Sequence, residues 1–194
     1  MEGLLNNMRK EIEVKARVSD LSELIKKLES LGVAFSEPIT QNDETFVDEN
    51  YGDYDKFQPG KNVLRIRENK GKFIFTLKQP QSNELDCFER ETEITDPREF
   101  KEALLLMGYK PVVEIHKIRR KAKYKDYEIC LDDVKELGAF VEVEKITDDE
   151  NANKVQDELF SFLETLGVSK DNREIHGYDT LVYLKQLRDQ PAEL

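Results

Sequence analysis

Two spacings of apolar residues divide the chain into predicted helices and strands. In three segments apolar residues recur at intervals of three and four, which is the spacing of one helix face. Each segment follows an acidic residue that can cap the helix and ends at a glycine that can terminate it. The predicted caps and end glycines are Asp20 with Gly32, Asp96 with Gly108, and Asp148 or Asp149 with Gly167. A fourth helix is predicted over residues 178–187 and could either pack on a barrel or cap one end of it.

Most of the remaining chain alternates apolar with charged residues, as expected of strands with two different faces. A strand with a Glu-x-Glu pair precedes each of the first three helices. Short turns between such runs predict hairpins that join 63–68 with 73–78, 113–124 with 127–132, and 127–132 with 139–146. The segment 48–60, which contains two glycines and a proline, predicts a mobile loop. Strands therefore outnumber helices.

One face of each of these strands is charged. On the first strand Glu11, Glu13, Lys15 and Arg17 share a face, and apolar residues occupy the other. For one strand alone, a solvated sheet face explains the pattern. Three amphipathic helices, however, need an apolar sheet face to cover. If they cover a barrel from outside, its interior carries opposing acidic and basic walls, which are costly unless a charged ligand and metal ions lie between them.

Composition fits one globular domain. The chain has 194 residues, of which 38% are hydrophobic and 37% charged, so it can bury a core. We expect a single domain over residues 9–188, a flexible N-terminal extension over 1–8 and a C-terminal tail over 189–194. Cys87 and Cys130 have no CxxC partner, which predicts reduced core thiols rather than a zinc site or a disulfide.

Charge and hydropathy restrict the partners of the chain. A net charge of −11 argues against nucleic-acid binding, which depends on a basic surface. No segment has the apolar length of a transmembrane helix, and the N-terminus lacks the apolar core of a signal peptide. We therefore expect a cytoplasmic protein without a membrane partner. The sequence does not decide the oligomeric state, and a homodimer is one of the states that it allows.

Acidic and basic residues are sorted between different predicted strands. Glutamate pairs occupy the first and last barrel strands, and the two members of a pair lie roughly 6.5 to 7 Å apart along the strand. Such pairs could converge on Mg²⁺ or Mn²⁺, which bind carboxylates, water and phosphate oxygens. Arginine and lysine occupy the middle hairpins, where guanidinium groups suit phosphate geometry. Asp132, at the end of its predicted strand, is a further acidic candidate.

Six motifs follow one another along the chain. They are Glu11-Ile-Glu13-Val-Lys15, Leu64-Arg65-Ile-Arg67, Thr76-Leu-Lys78, Lys117-Ile-Arg119, Leu131-Asp132-Asp-Val134, and Leu137-Gly-Ala-Phe-Val-Glu142-Val-Glu144. Together the motifs resemble the CYTH superfamily of triphosphate tunnel metalloenzymes, which includes class IV adenylyl cyclases and thiamine or inorganic triphosphatases. The resemblance extends from about Glu11 to Leu184, nearly the whole chain.

The resemblance implies an α+β fold, namely a closed antiparallel β-barrel of about eight strands with helices packed on the outside. It implies that Mg²⁺ or Mn²⁺ is bound by Glu11, Glu13, Glu142 and Glu144. It implies that the triphosphate of ATP or of another substrate is bound by Lys15, Arg65, Arg67, Lys78, Lys117 and Arg119. The resemblance implies that Lys117, Arg119 and Asp132 are the catalytic residues, with Asp132 contributing near the metal or the nucleophile.

Two reactions fit such a tunnel. In a cyclase the ribose 3′ oxygen of ATP attacks the α-phosphorus, whereas in a triphosphatase water attacks the terminal phosphorus. The segment 41–46 and the pair Tyr178 and Leu181 resemble the cyclase branch, which favours an adenylyl cyclase. A non-catalytic polyphosphate or nucleotide receptor is the third alternative. A receptor would gain nothing from four glutamates, so their presence favours an enzyme.

Overall fold

The computed structural model describes residues 10–148 and 151–190, so the predicted extension over 1–8 lies outside the described residues. The strands are β1 (Lys10–Arg17), β2 (Ile39–Asp48), β3 (Val63–Asn69), β4 (Lys72–Pro80), β5 (Asp86–Ile94), β6 (Tyr109–Tyr124), β7 (Tyr127–Val134), β8 (Gly138–Ile146) and β9 (Arg173–Glu174). The α-helices are α1 (Leu21–Ser30), α2 (Pro97–Leu106), α3 (Ala152–Thr165) and α4 (Tyr178–Asp189). A 3₁₀ turn spans Lys170–Asn172.

The first eight strands form a closed antiparallel barrel in the order β5-β4-β3-β2-β6-β7-β8-β1. Three residue pairs between β1 and β5, beginning with Lys10 opposite Phe88, close it. The short β9 lies beside the other end of β1, opposite Lys15 and Ala16. Strand β1 therefore has three neighbours. The predicted barrel of about eight strands with helices outside is confirmed.

The main core lies between the outer face of the barrel and two helices. Ile12 and Val14 of β1 are fully buried against Leu28 of α1 and Leu159 and Leu163 of α3. Burying one such side chain contributes about 1.5 to 3 kcal/mol. On the opposite side of the barrel α2 covers a smaller cluster through its buried Leu104. Because the helices cover the apolar strand faces, the charged faces point into the barrel.

Two of the three predicted caps are confirmed. The carboxylates of Asp20 and Asp96 each accept hydrogen bonds from two backbone N–H groups in the first turn of α1 and α2. The cap predicted at Asp148 or Asp149 is wrong. Helix α3 begins at Ala152, and the Asn151 side chain accepts a hydrogen bond from the backbone of its first turn. Asparagine caps as well as aspartate does, and Asp149 lies outside the described residues.

Helix α4 closes one end of the barrel, which is one of the two placements predicted for it. Its residues Tyr178 and Leu181 pack against Val113, Ile115 and Phe140, apolar residues on the inward faces of β6 and β8. The helix runs through Asp189, so the predicted C-terminal tail begins later than position 189. None of the helices in the described part of the chain combines the length and apolar character needed to cross a membrane.

The segment predicted as a loop over 48–60 does connect β2 with β3, but it is not wholly polar. Tyr51 and Tyr54 are buried beside Val47 and Val63. The Tyr54 ring contacts Tyr183 of α4, with 5.2 Å between ring centroids. The loop is therefore anchored to the helix that closes the barrel.

Candidate active site in the barrel interior

The barrel encloses a cavity of about 280 Å³ lined mainly by charged side chains. Every predicted site residue except Asp132 lines it, including all four predicted metal ligands, Glu11, Glu13, Glu142 and Glu144. Asp132 is fully buried in the wall behind Arg119. It lies within β7 rather than at its end, because the strand continues to Val134.

Arg119 connects two carboxylates in this wall. Its Nε donates to Asp132 Oδ1 at 2.7 Å, and its second terminal nitrogen donates both to Asp132 and to Glu142. Burial opposes ionisation of both acids, but the Arg119 guanidinium outweighs it and holds the pKa of Asp132 and that of Glu142 below their usual range. Asp132 also accepts a hydrogen bond from the Tyr178 hydroxyl at 2.9 Å. The guanidinium is thus fixed in orientation.

Two cavity lysines contact the Tyr178 ring. Lys15 Nζ lies 4.1 Å and Lys117 Nζ 4.8 Å from its centroid. Lys15 has acidic neighbours, with Glu142 at 3.2 Å and Glu13 at 3.4 Å, and these outweigh burial and raise its pKa. Lys117 has weaker compensation, because the Asp132 carboxylate, 3.7 Å from its Nζ, also pairs with Arg119. Burial and the Arg119 guanidinium lower the pKa of Lys117 to about 8.

Arg67 is held by a residue that was not among the predicted site residues. Its Nε and a terminal nitrogen donate to the two carboxylate oxygens of Asp43 at 2.7 and 2.6 Å. Although burial opposes it, this bidentate pair lowers the pKa of Asp43 strongly. Asp43 lies within the segment 41–46 that resembles the cyclase branch. Asp43 lies on the same face of β2 as Gln41 and Thr45, and this period of two could have placed its side chain inside the barrel.

Lys78 and Arg65 occupy the wall formed by β3, β4 and β5. Lys78 forms an ion pair with Glu89, which lowers the pKa of that buried carboxyl despite desolvation. Arg65 donates to Thr76 at 3.0 Å and to Glu91 at 3.1 Å, yet its enclosed Nε has no hydrogen-bond partner in the described part of the chain. An unpaired guanidinium N–H facing a cavity suits an anionic ligand.

Sequence reasoning missed Glu89, although the signal was available. Glu91 and Glu93 belong to the predicted acidic strand, and a period of two places Glu89 on the same face. The residues further along β5 are less enclosed. Glu91 lies at the cavity rim, and Glu93 is exposed and pairs with Lys72 at 2.7 Å.

Carboxylates are in excess where β1, β7 and β8 meet. Glu13 lies opposite Glu144 in the pairing of β1 with β8, and Glu144 lies opposite Glu128 of β7. Burial and then Glu13, Glu11 and Glu128 raise the pKa of Glu144 to about 8. Burial and Glu142 raise the pKa of Glu13, even though Lys15 is close. Buried carboxylates that repel one another need a cation, so their chemistry fits a divalent metal ion.

Among the described residues, no set of three or more carboxylate, thiol or imidazole groups lies close enough together to coordinate a metal ion. The facing glutamates of β1, β7 and β8 supply the oxygen atoms that a metal ion needs, and their raised pKa values reflect the repulsion that the ion would relieve.

The interior can thus hold a polyanion between cationic side chains, with an acidic end suited to metal. A CYTH domain model matches residues 9–178. The chain belongs to the CYTH domain family. A curated Methanocaldococcus jannaschii protein named as a putative adenylate cyclase is 34% identical over 167 residues, which is 84% of this chain and 92% of that protein.

Further likenesses agree with the CYTH assignment. The Aeromonas hydrophila protein named adenylate cyclase CyaB is 25% identical over 175 residues, which is 89% of this chain and 88% of that protein. The solved structure of the PH1012 protein from Pyrococcus horikoshii matches with a TM-score of 0.73 and 27% identity. The match covers 88% of this chain and 98% of that one.

The charge pattern in this CYTH domain differs from the predicted opposing walls. Acidic and basic residues alternate around the barrel, because most of the cations form ion pairs with a neighbouring strand. Arg17, which shares the charged face of β1, leaves the cavity and contacts Glu174 of β9 at 3.2 Å. Interleaving the signs reduces the cost of burying so many charges.

Proposed function

We propose that the protein is a divalent-metal-dependent phosphoryl-transfer enzyme that binds a triphosphate inside the barrel and converts ATP into 3′,5′-cyclic AMP and pyrophosphate. The observation that carries this proposal is the meeting of cations from four strands with an excess of carboxylates in one cavity of about 280 Å³. The two relatives named as adenylate cyclases support the choice of nucleotide.

The cationic side chains would bind the phosphate oxygens. These are Lys15, Arg65, Arg67, Lys78, Lys117 and Arg119, which line the cavity from β1, β3, β4 and β6. A triphosphate can contact several of these strands together, whereas one phosphate is too short to do so. Bidentate guanidinium contacts would orient the chain of phosphates as well as attract it.

A Mg²⁺ or Mn²⁺ ion would be held by Glu11, Glu13, Glu142 and Glu144. The raised pKa values of Glu13 and Glu144 support this assignment, because a cation relieves their repulsion. When bound, the ion would neutralise phosphate charge and help to align the phosphates. Glu142 would share its charge with Lys15 and Arg119, whose contacts already fix its position.

In the cyclase reaction the ribose 3′ oxygen bonds to the α-phosphorus and loses its proton, while the bond to the bridging oxygen breaks and pyrophosphate leaves. The proton would pass to solvent, because a bound triphosphate raises the pKa of Lys117 above its ligand-free value of about 8 and keeps its ammonium group charged. The charged Lys117 would then stabilise the departing pyrophosphate. Arg119 stabilises the negative charge of the transition state. Asp132 is a positioning residue, because it lies on the inward face of β7 behind Arg119 and contacts that guanidinium without lining the cavity itself.

Hydrolysis of a triphosphate is the second candidate. The same cations line the cavity and would bind its phosphates, and the charged Lys117 would stabilise the departing diphosphate product in the same way.

The deciding experiment incubates the purified protein with ATP, thiamine triphosphate or tripolyphosphate, each with Mg²⁺ or Mn²⁺, and identifies the products. Cyclic AMP and pyrophosphate are expected from ATP. Orthophosphate with a diphosphate product would assign the protein to hydrolysis, and binding without turnover would assign it to a receptor. Arg119→Ala should lower the rate on the order of 100- to 1,000-fold. Arg120→Ala is the matched control, because Arg120 follows on the outer face and donates to Ser36.

A further inference from the structure

Two carboxamide side chains face each other inside the barrel next to the cationic residues. Gln41 of β2 lies directly opposite Asn69 of β3, and both line the cavity. Gln41 is 2% exposed. Gln41 Oε1 and Asn69 Oδ1 are both enclosed, and neither has a hydrogen-bond partner within residues 10–148 and 151–190.

Buried polar atoms without partners are rare in folded proteins, and each one calls for an explanation. Here two of them occur side by side in one cavity, which indicates that a ligand supplies the missing donor. A carboxamide also carries its acceptor oxygen beside a donor nitrogen. It therefore matches a planar group that presents a donor next to an acceptor.

The position of the pair indicates which part of a ligand it meets. Asn69 is two residues beyond Arg67, and Gln41 is two residues before Asp43, so the pair lies roughly 7 Å along the strands from the Arg67–Asp43 ion pair. On its other side Gln41 lies opposite Lys117 of β6. The carboxamides thus adjoin the phosphate-binding residues without belonging to them. Ile74, the β4 neighbour of Arg67, adds an apolar contact in the same part of the cavity.

We propose that Gln41 and Asn69 recognise the base of the substrate and select a 6-aminopurine. Adenine presents an amino group beside a ring nitrogen, and glutamine and asparagine carboxamides pair with this edge through two hydrogen bonds. This pairing uses N6 and N7 of adenine, and on the same edge inosine presents two acceptors, O6 and N7, so it offers no donor there to the carboxamide oxygens. This inference rests on the proposed function, because it requires a triphosphate in the adjoining cationic region.

The test compares ATP, inosine triphosphate and tripolyphosphate as ligands, with Mg²⁺ present, by calorimetry and thermal shift. The wild-type protein should bind ATP roughly 10- to 100-fold more tightly than inosine triphosphate, the discrimination expected of a paired carboxamide. Gln41→Leu and Asn69→Leu should bring the two affinities to within about threefold of each other and leave tripolyphosphate affinity unchanged. Asn42→Leu is the matched control on the opposite face of β2, where Asn42 contacts His116 and Glu68.

The wild-type comparison needs no variant to fold. Equal affinity for ATP and inosine triphosphate, with tripolyphosphate bound, overturns the base-recognition role while the proposed function stands. Failure of the wild-type protein to bind tripolyphosphate overturns both. Leucine variants that retain the full preference for ATP would show that the unpaired oxygens serve only an internal water, which also overturns the inference.

Discussion

Replacing Glu144 with glutamine should stabilise the metal-free protein at alkaline pH. Glutamine resembles the protonated carboxyl, and the surrounding carboxylates favour that form. The folded-state pKa of Glu144, about 8, exceeds its ordinary value of 4.5, so the folded protein holds a proton that the unfolded chain releases. The stability contributed by this proton is present in full below pH 4.5 and is lost as the pH rises through 8.

The size of the effect follows from the same shift. A pKa difference from 4.5 to about 8, at about 1.4 kcal/mol per unit, corresponds to roughly 5 kcal/mol. Glu144 is only half-buried, and solvent screening reduces the expected gain to about 2 kcal/mol. For a chain of this length such a gain raises the melting temperature by about 4 to 8 °C. The gain should be small at pH 5 and largest at pH 8.

The measurement is thermal unfolding of both proteins with a chelator at pH 5 and at pH 8. Adding Mg²⁺ or Mn²⁺ at pH 8 should stabilise the wild-type protein and stabilise the variant much less, because the variant lacks one proposed ligand. Glu114→Gln is the control, since Glu114 on the outer face of β6 is 70% exposed. Equal melting temperatures of the wild-type protein and Glu144→Gln at pH 8, or a difference between them that does not depend on pH, would refute the inference that neighbouring carboxylates repel Glu144.

Three further predictions concern the site and the core. Tripolyphosphate binding at pH 8.5 should be accompanied by proton uptake, because the added anion raises the depressed pKa of Lys117. Calorimetry in buffers of different ionisation enthalpy measures the number of protons taken up, and Lys117→Met should reduce that number. Arg65→Ala should weaken tripolyphosphate binding at least tenfold in a direct titration and leave the Mn²⁺ concentration dependence of activity unchanged. Leu159→Ala should lower the free energy of unfolding by about 2 to 5 kcal/mol in a urea titration, because Leu159 is fully buried between α3 and β1.

The sequence predicts the inward charged faces well, because a strict period of two leaves each strand only two orientations. Glu13, Lys15 and Glu142 are inside for this reason. The sequence predicts poorly which inward side chains form ion pairs with each other. Asp43 pairs with Arg67 only because β2 and β3 are neighbours in a particular register, and no local pattern specifies that register. The interleaving of opposite charges depends on the same long-range pairing.

The cap of α3 shows a different limit of prediction. Several residues with nearly equal capping ability precede the helix, and the sequence alone does not determine which side chain accepts the hydrogen bond from the first turn of the helix. Asn151 takes that role because the helix begins at Ala152. In contrast, Asp20 and Asp96 are correctly predicted, since Glu23 completes a capping box with Asp20 and Pro97 occupies the first helical position after Asp96.

The three neighbours of β1 determine when this chain can fold during synthesis. The strand emerges from the ribosome first, but its longest pairing is with β8, about 130 residues later, and its outer face is covered by α3. Closure of the barrel against β5 supplies only three residue pairs before that point. The growing chain must therefore carry an incomplete barrel, with one apolar face uncovered, until β8 and α3 have been made. Because Glu142 and Glu144 line the cavity from β8, the order of translation itself delays ligand binding until that strand has been made.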